Sequence, residues 1–136
     1  MKARCLCGAT QFEVKLRNHE VAACHCLMCR CQTAGPLMSV DVENINFIDQ
    51  QHLSVFSSSE WGERGFCNMC GTFIFWRSKD HSFANINVFT LEHPPEDLNF
   101  NLEIYVDNQP SFYSFNNQTK KMTEAEVVAL FNSDNP

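Results

Sequence analysis

The chain lacks any run of about 18 apolar residues, so no transmembrane helix is expected. It has little positive charge: 10 Lys and Arg stand against 16 Asp and Glu, for a net charge of -6 and a pI near 5.2. That balance gives no general electrostatic reason to hold a phosphate backbone, so nucleic acid is not an expected partner. The longest basic stretch is Lys120-Lys121, which reads as a solvated helix entry. The segment Met1-Lys2-Ala3-Arg4-Cys5-Leu6-Cys7-Gly8 has basic residues but no apolar stretch behind them, so a secretory signal is not expected. There is no Gly-rich phosphate loop and no nucleophile elbow. The His-x-Glu and Pro-Cys-x-x-Cys of zinc deaminases are missing too, because Phe66 precedes Cys67. No internal repeat, low-complexity tract or linker divides the sequence.

What is present points to a β protein. The 136 residues suit a single domain, 1–136, and 44% hydrophobic content with twelve Phe supplies a β-rich core. Phe12, Val14 and Leu16 alternate with Gln11, Glu13 and Lys15, the period of a half-buried strand. Val21 to Cys24, Leu37 to Val40, Ile45 to Ile48, Leu53 to Phe56 and Leu102 to Val106 read as further short strands. Thr72 to Trp76, β-branched and aromatic throughout, is the clearest strand, and Phe83 to Leu91 is another. One helix is signalled near the C-terminal end: Thr123-Glu124-Ala125-Glu126 forms a capping box ahead of Val127, Val128, Leu130 and Phe131. The fold expected is mainly β with one C-terminal helix.

Eight cysteines without a secretion signal fit a reducing cytosol, where clustered thiols serve as metal ligands or reactive groups. Cys67-Asn68-Met69-Cys70 is a C-x-x-C knuckle followed by Gly71. It needs two more ligands, and Cys5-Leu6-Cys7 followed by Gly8 is its natural partner. Cys5, Cys7, Cys67 and Cys70 would then close a structural zinc site, stapling the start of the chain to its middle.

The remaining group, Cys24-His25-Cys26-Leu27-Met28-Cys29, places three thiols within six residues, with Cys31 two residues on. Three protein ligands that leave a fourth position to an exchangeable group are the pattern of a catalytic zinc. Three thiolates on Zn²⁺ leave a net negative charge, which favours holding another soft thiol over activating water. Cys24, Cys26 and Cys29 are therefore candidates for sulfur chemistry. The competing assignments are buried thiols acting only as small hydrophobes, a second structural site closed by Cys31 or His25, and a redox dithiol. His25, between two ligands, is expected to point away from the metal as a hydrogen-bonding support.

In combination these segments resemble the glutathione-dependent formaldehyde-activating enzyme family, which also includes centromere protein V. The resemblance rests on Cys5-Leu6-Cys7-Gly8, on Cys24 to Arg30 with Gly35, and on Arg64 to Thr72. It extends to Ser57-Ser58, Glu63-Arg64 and the tail from Ile104 through Lys121, and so covers nearly the whole chain. It implies short coiled antiparallel sheets around a zinc-ribbon-like centre. It implies a structural zinc on Cys5, Cys7, Cys67 and Cys70, and a catalytic zinc on Cys24, Cys26 and Cys29. The implied activity is addition of glutathione to formaldehyde, a carbon–sulfur lyase reaction giving S-hydroxymethylglutathione. Two positions depart from the family pattern: Cys31 stands where a basic or polar residue is usual, and Glu103 where a His is common.

A glutathione-like ligand carries two carboxylates, and Arg holds carboxylates bidentately. Arg30 and Arg64, beside the cysteine segments, are the candidates, ahead of Arg77 and Lys79; the competing assignment is salt bridging with the excess acids. Trp61 and Trp76 could line a pocket, but core packing accounts for them as well. The function expected is a cytoplasmic, zinc-dependent carbon–sulfur lyase acting on a small thiol and a small aldehyde. The alternatives are a non-catalytic zinc-binding interaction module and a thiol-based sensor using Cys24, Cys26, Cys29 and Cys31.

Overall fold

A computed structural model describes residues 1–133; the last three positions of the expected 1–136 domain lie outside the described residues. In chain order the elements are β1 (Lys2–Arg4), β2 (Gln11–Cys24), α1 (Leu27–Thr33), β3 (Leu37–Asp49), β4 (Leu53–Ser57), β5 (Gly62–Cys67), β6 (Phe73–Ser78), β7 (Ala84–Asn87), β8 (Asn99–Ile104), β9 (Lys120–Met122) and α2 (Glu124–Ser133). The protein is mainly β with a C-terminal helix, as the sequence led one to expect. The chain forms two compact units, one of Met1–His19 with Ser39–Leu98, the other of Glu20–Met38 with the segment from Asn99 onward. No helix among the described residues is long and apolar enough to cross a membrane.

In the first unit β4, β5, β6 and β7 pair antiparallel in sequence order, β7 pairs with β3, and β1 pairs with the start of β2. The alternation read at Phe12 and Val14 is real: both are buried, and Leu16 is half-buried. Phe12 packs on Phe47 with ring centroids 5.7 Å apart, and Phe47 on Phe75 at 5.9 Å. Each such burial is worth about 1.5–3 kcal/mol, which is why the Phe-rich composition turns into a core. Strand β5 carries little β-propensity in its sequence, Gly-Glu-Arg-Gly-Phe-Cys. Its glycines are there for space. A side-chain carbon on Gly65 would fall 2.2 Å from the Phe75 ring, and one on Gly62 would fall 2.7 Å from Trp76.

Several strand boundaries differ from expectation. Gln11–Leu16 and Val21–Cys24 are parts of one 14-residue strand, and Leu37–Val40 and Ile45–Ile48 parts of one 13-residue strand. The polar residues between them sit on exposed or half-buried positions of a continuous pleat and do not break it; His19, for example, bonds Asp97 at 2.7 Å. Conversely, the strand expected over Phe83 to Leu91 stops at Asn87 and becomes a 3₁₀ turn, Val88–Thr90. The Asn87 carboxamide oxygen accepts the Phe89 N–H at 3.0 Å, and its amide donates to the Phe73 carbonyl at 2.9 Å. An Asn that bonds local backbone in this way competes with the ladder and ends it.

In the second unit the end of β2 runs parallel to β8, with Ala23 opposite Glu103 and Cys24 opposite Ile104; β8 runs parallel to β9, with Glu103 opposite Lys121. These two ladders depart from the antiparallel pairing expected throughout. Helix α1 was not anticipated: its seven residues are too few to show an apolar period, and its cap is a cysteine, Cys26, whose sulfur accepts the Cys29 N–H at 3.4 Å. Ala34, in the left-handed region at φ 60°, ends it. Helix α2 has the capping box read from the sequence, with the Thr123 N–H bonded to the Glu126 carboxylate at 3.1 Å and the Glu126 N–H to the Thr123 hydroxyl at 3.3 Å.

Candidate metal centres

The first unit brings Cys5, Cys7, Cys67 and Cys70 together, with all four sulfurs within 4.8 Å of one another. Cys5 and Cys7 are 3.6 Å apart and Cys7 and Cys67 3.9 Å apart, sulfur to sulfur. A tetrahedral zinc with bonds of about 2.3 Å spaces its sulfurs about 3.8 Å apart, so the donor set fits that ion. Each pair comes from a tight turn at a strand end. Gly8 donates to the Cys5 carbonyl at 3.2 Å and Gly71 to the Cys67 carbonyl at 2.8 Å. Both glycines lie in the left-handed region, φ 81° and 80°, which explains their place after each second cysteine.

Polar groups converge on these sulfurs. The Thr10 N–H donates to Cys5 at 3.3 Å. The Thr72 hydroxyl, 3.1 Å from the Cys70 sulfur, also accepts the Leu6 N–H at 3.0 Å and so ties the two turns to each other. Burial pushes the Cys70 thiol up, but hydrogen bonds from Thr72 and from the Cys7 and Thr72 backbone outweigh it and bring it down to about 5. Cys67 is likewise lowered: burial raises it, and the Thr10 hydroxyl with the Cys70 and Met69 N–H groups more than offset that. At Cys7 the Ala9 N–H lowers the thiol, while burial and the sulfurs of Cys5, Cys70 and Cys67 carry it up to about 11. Part of the cluster is thus already disposed to be thiolate, the form a metal needs.

The second unit holds Cys24, Cys26 and Cys29, again with their sulfurs within 4.8 Å of one another. Cys24 ends β2, Cys26 caps α1 and Cys29 lies in its first turn; Cys24 and Cys29 are buried and Cys26 half-buried. Cys31 is exposed on α1 and outside this trio, and no disulfide links any of the eight cysteines. Hydrogen bonds from Cys26 and Cys29, together with burial, push the Cys24 thiol far up, so a metal bound here would displace protons. Three soft donors fit a zinc ion that shares its coordination with a further ligand.

His25 has the hydrogen-bonding role expected of it, and its partners Glu103 and Tyr113 are residues that spacing alone did not reveal. His25 is wholly buried, 0% exposed, and turned to Glu103, itself 1% exposed, with Nε2 2.9 Å from the carboxylate. Its Nδ1 is 2.7 Å from the Tyr113 hydroxyl. Glu103 also accepts from the Thr119 hydroxyl and lies 3.6 Å from the Lys121 ammonium. Burial raises the Glu103 carboxyl, but Thr119, His25 and Lys121 outweigh it and hold it below the usual carboxylate range. Lys121, read from the sequence as part of a solvated helix entry, therefore lies in β9 with its ammonium on this carboxylate.

Tyr105 directly follows Ile104, the partner of Cys24, and adopts the left-handed conformation at φ 57°, ψ 41°. Burial and the charges of Cys24, Cys26, Glu124 and Cys29 push its phenol up to about 12. The chain has only two tyrosines, and both stand at this site. Both lie in the tail from Ile104 through Lys121 that carries part of the resemblance, but no spacing singles them out; what sets Tyr105 apart is its backbone conformation.

Of the arginines, Arg30 is half-buried in α1 and donates through Nε to the His25 carbonyl at 2.8 Å. Arg64 belongs to the first unit, enclosed in β5 at 4% exposure, with its guanidinium carbon 5.9 Å from the Phe73 ring centre. Arg77 is bonded to Glu63 at 2.6 Å, which is the salt bridging weighed for it above. Trp61 and Trp76 pack edge to face at 5.4 Å within the first unit.

Residues 1–108 match the family described as glutathione-dependent formaldehyde-activating enzyme. A Schizosaccharomyces pombe protein described as an uncharacterized lyase is 28% identical over 131 residues, 93% of each chain. A crystal structure of a Rhodobacter sphaeroides protein shares the fold, with a TM-score of 0.60 and 24% identity over 76% of this chain and 99% of its own. The two cysteine groups stand in the segments that carry the match, and this chain belongs to the glutathione-dependent formaldehyde-activating enzyme family.

Proposed function

We propose that the protein is a zinc-dependent carbon–sulfur lyase that joins or releases a small thiol of the glutathione kind and a small aldehyde of the formaldehyde kind. One observation carries the reading: the two cysteine groups differ in number, four sulfurs in one and three in the other. The set of four suits a structural zinc and the set of three a catalytic one. A zinc ion held by Cys24, Cys26 and Cys29 supplies a soft centre that keeps an added thiol as thiolate.

The chain's own groups do the rest. Arg30, fixed by one of its five N–H donors to the His25 carbonyl, offers the others to a substrate carboxylate. Tyr105, with its phenol protonated at neutral pH, offers an O–H to the oxygen that gains charge as sulfur adds to the carbonyl. Holding thiol and aldehyde side by side contributes by removing the need for a chance encounter. Eight thiols without a disulfide suit a reducing cytoplasm.

The test is adduct exchange. Zinc-loaded protein mixed with glutathione and formaldehyde, followed by NMR, is expected to speed interconversion of free and hydroxymethylated thiol, and Cys26→Ala to abolish that gain. A loaded protein that gives no acceleration with glutathione or any other small thiol would return the chain to the non-catalytic alternative.

A further inference from the structure

We propose that Glu103, acting through His25, is a positioning residue that sets how firmly Cys24, Cys26 and Cys29 hold their metal. The proposal rests on the reading of that trio as a metal site, and concerns residues that do not themselves ligate.

Every polar group of His25 is engaged. Its N–H donates to the Ile104 carbonyl at 3.1 Å, and its carbonyl accepts from Arg30 at 2.8 Å. One ring nitrogen meets Tyr113 at 2.7 Å and the other Glu103 at 2.9 Å. The flanking residues are Cys24 and Cys26, so clamping His25 fixes the peptide that separates two sulfurs. The same β8 strand provides the backbone anchor at Ile104 and the side-chain anchor at Glu103, one residue apart. On the far side, Thr119 and Lys121 of the neighbouring segment hold the carboxylate.

Stability alone does not account for this arrangement. Taking a carboxylate and an imidazole wholly out of water is costly, and packed apolar residues of like volume commonly do as well or better. What apolar residues cannot supply is direction. A ring bonded at both nitrogens has one orientation, and the backbone that carries the sulfurs inherits it. Outer groups that orient a metal site change metal affinity by about 10–100-fold when removed.

Cobalt as a substitute for zinc tests the idea. Wild-type protein loaded with Co²⁺ is expected to take up two ions per chain and to surrender them to a chelator in two phases. The faster phase is assigned by its loss in Cys26→Ala. Glu103→Gln keeps an acceptor for His25 but loses the charge. It is expected to speed the faster phase about tenfold and to shift that site's sulfur-to-cobalt absorption band. The slower phase should stay as it was. Tyr113→Phe, which deletes only a hydroxyl, is expected to move the same phase less and in the same direction.

Glu103→Gln releasing cobalt at the wild-type rate, with an unaltered spectrum, would overturn the proposal while leaving the two-site reading intact. Should Glu103→Gln not fold, Thr119→Val, which removes the hydroxyl that holds the Glu103 carboxylate, is measured in its place with the same expected and overturning results. A wild-type chain that takes only one cobalt would defeat the two-site reading, and this proposal with it.

Discussion

Thr72 and Cys70 are bonded hydroxyl to sulfur at 3.1 Å, and through the same hydroxyl Thr72 receives the Leu6 N–H. One small side chain thus serves both turns of the four-cysteine centre. Thr72→Val keeps the shape and removes the hydroxyl. It is expected to raise the Cys70 thiol and to cost about 1–2 kcal/mol of stability in the metal-loaded protein, read by urea unfolding. Chelator should also strip the first site sooner than in wild type.

Tyr105→Phe removes the phenolic O–H, whose ionisation burial and the charges of Cys24, Cys26 and Cys29 oppose, and little else. The expected result is a kcat lowered on the order of tenfold to a hundredfold with KM nearly unchanged, as for loss of one donor to a developing oxyanion. Zinc content should remain at the wild-type level. A kcat equal to wild type would remove Tyr105 from the reaction.

Gly65→Ala places a methyl where the Phe75 ring already is, 2.2 Å away. Overpacking of this kind typically costs about 1–3 kcal/mol, and here the obstacle is a ring wedged in the core, so the upper end is expected. Thermal melting checks it. Wild-type stability in Gly65→Ala would show that β5 and β6 can part without penalty.

The Asp80 carboxylate accepts from the Ser78 and Ser82 hydroxyls, each at 2.7 Å, and from the Ser82 N–H at 3.0 Å. The Ser78 hydroxyl foremost, with both Ser82 groups, lowers it to about 2 from an ordinary 3.8. A carboxyl whose folded value lies below its unfolded one stabilises the fold above the unfolded value and loses that contribution as pH falls through the folded one. Asp80→Ala is therefore expected to be less stable than wild type at pH 5. The gap should close as the pH is taken from about 4 to about 2. Urea midpoints at both ends of that window give the answer.

The sequence was legible where a residue's role depends on near neighbours. Gly8 and Gly71 follow their cysteine pairs because the turns need a left-handed residue there, and that shows in the spacing. Phe12 and Val14 alternate because a pleat has period two, and Thr123 and Glu126 cap because they are three apart. What stayed hidden depends on distant partners. Gly62 and Gly65 look like poor strand formers until Trp76 and Phe75 are seen opposite them. Glu103 reads as an ordinary acid, although a parallel ladder brings it to a histidine 78 positions earlier. Helix α1 escaped notice because its cap is a sulfur, an atom the usual capping signals do not include.

That sulfur has a consequence for experiments on the second centre. Cys26 faces two clients of opposite taste: a soft cation that wants a polarisable donor, and an amide hydrogen that any oxygen would satisfy better. Serine at this position would please the second and disappoint the first. Cys26→Ser is therefore the substitution that removes the soft ligand and keeps the cap, whereas alanine removes ligand and cap together.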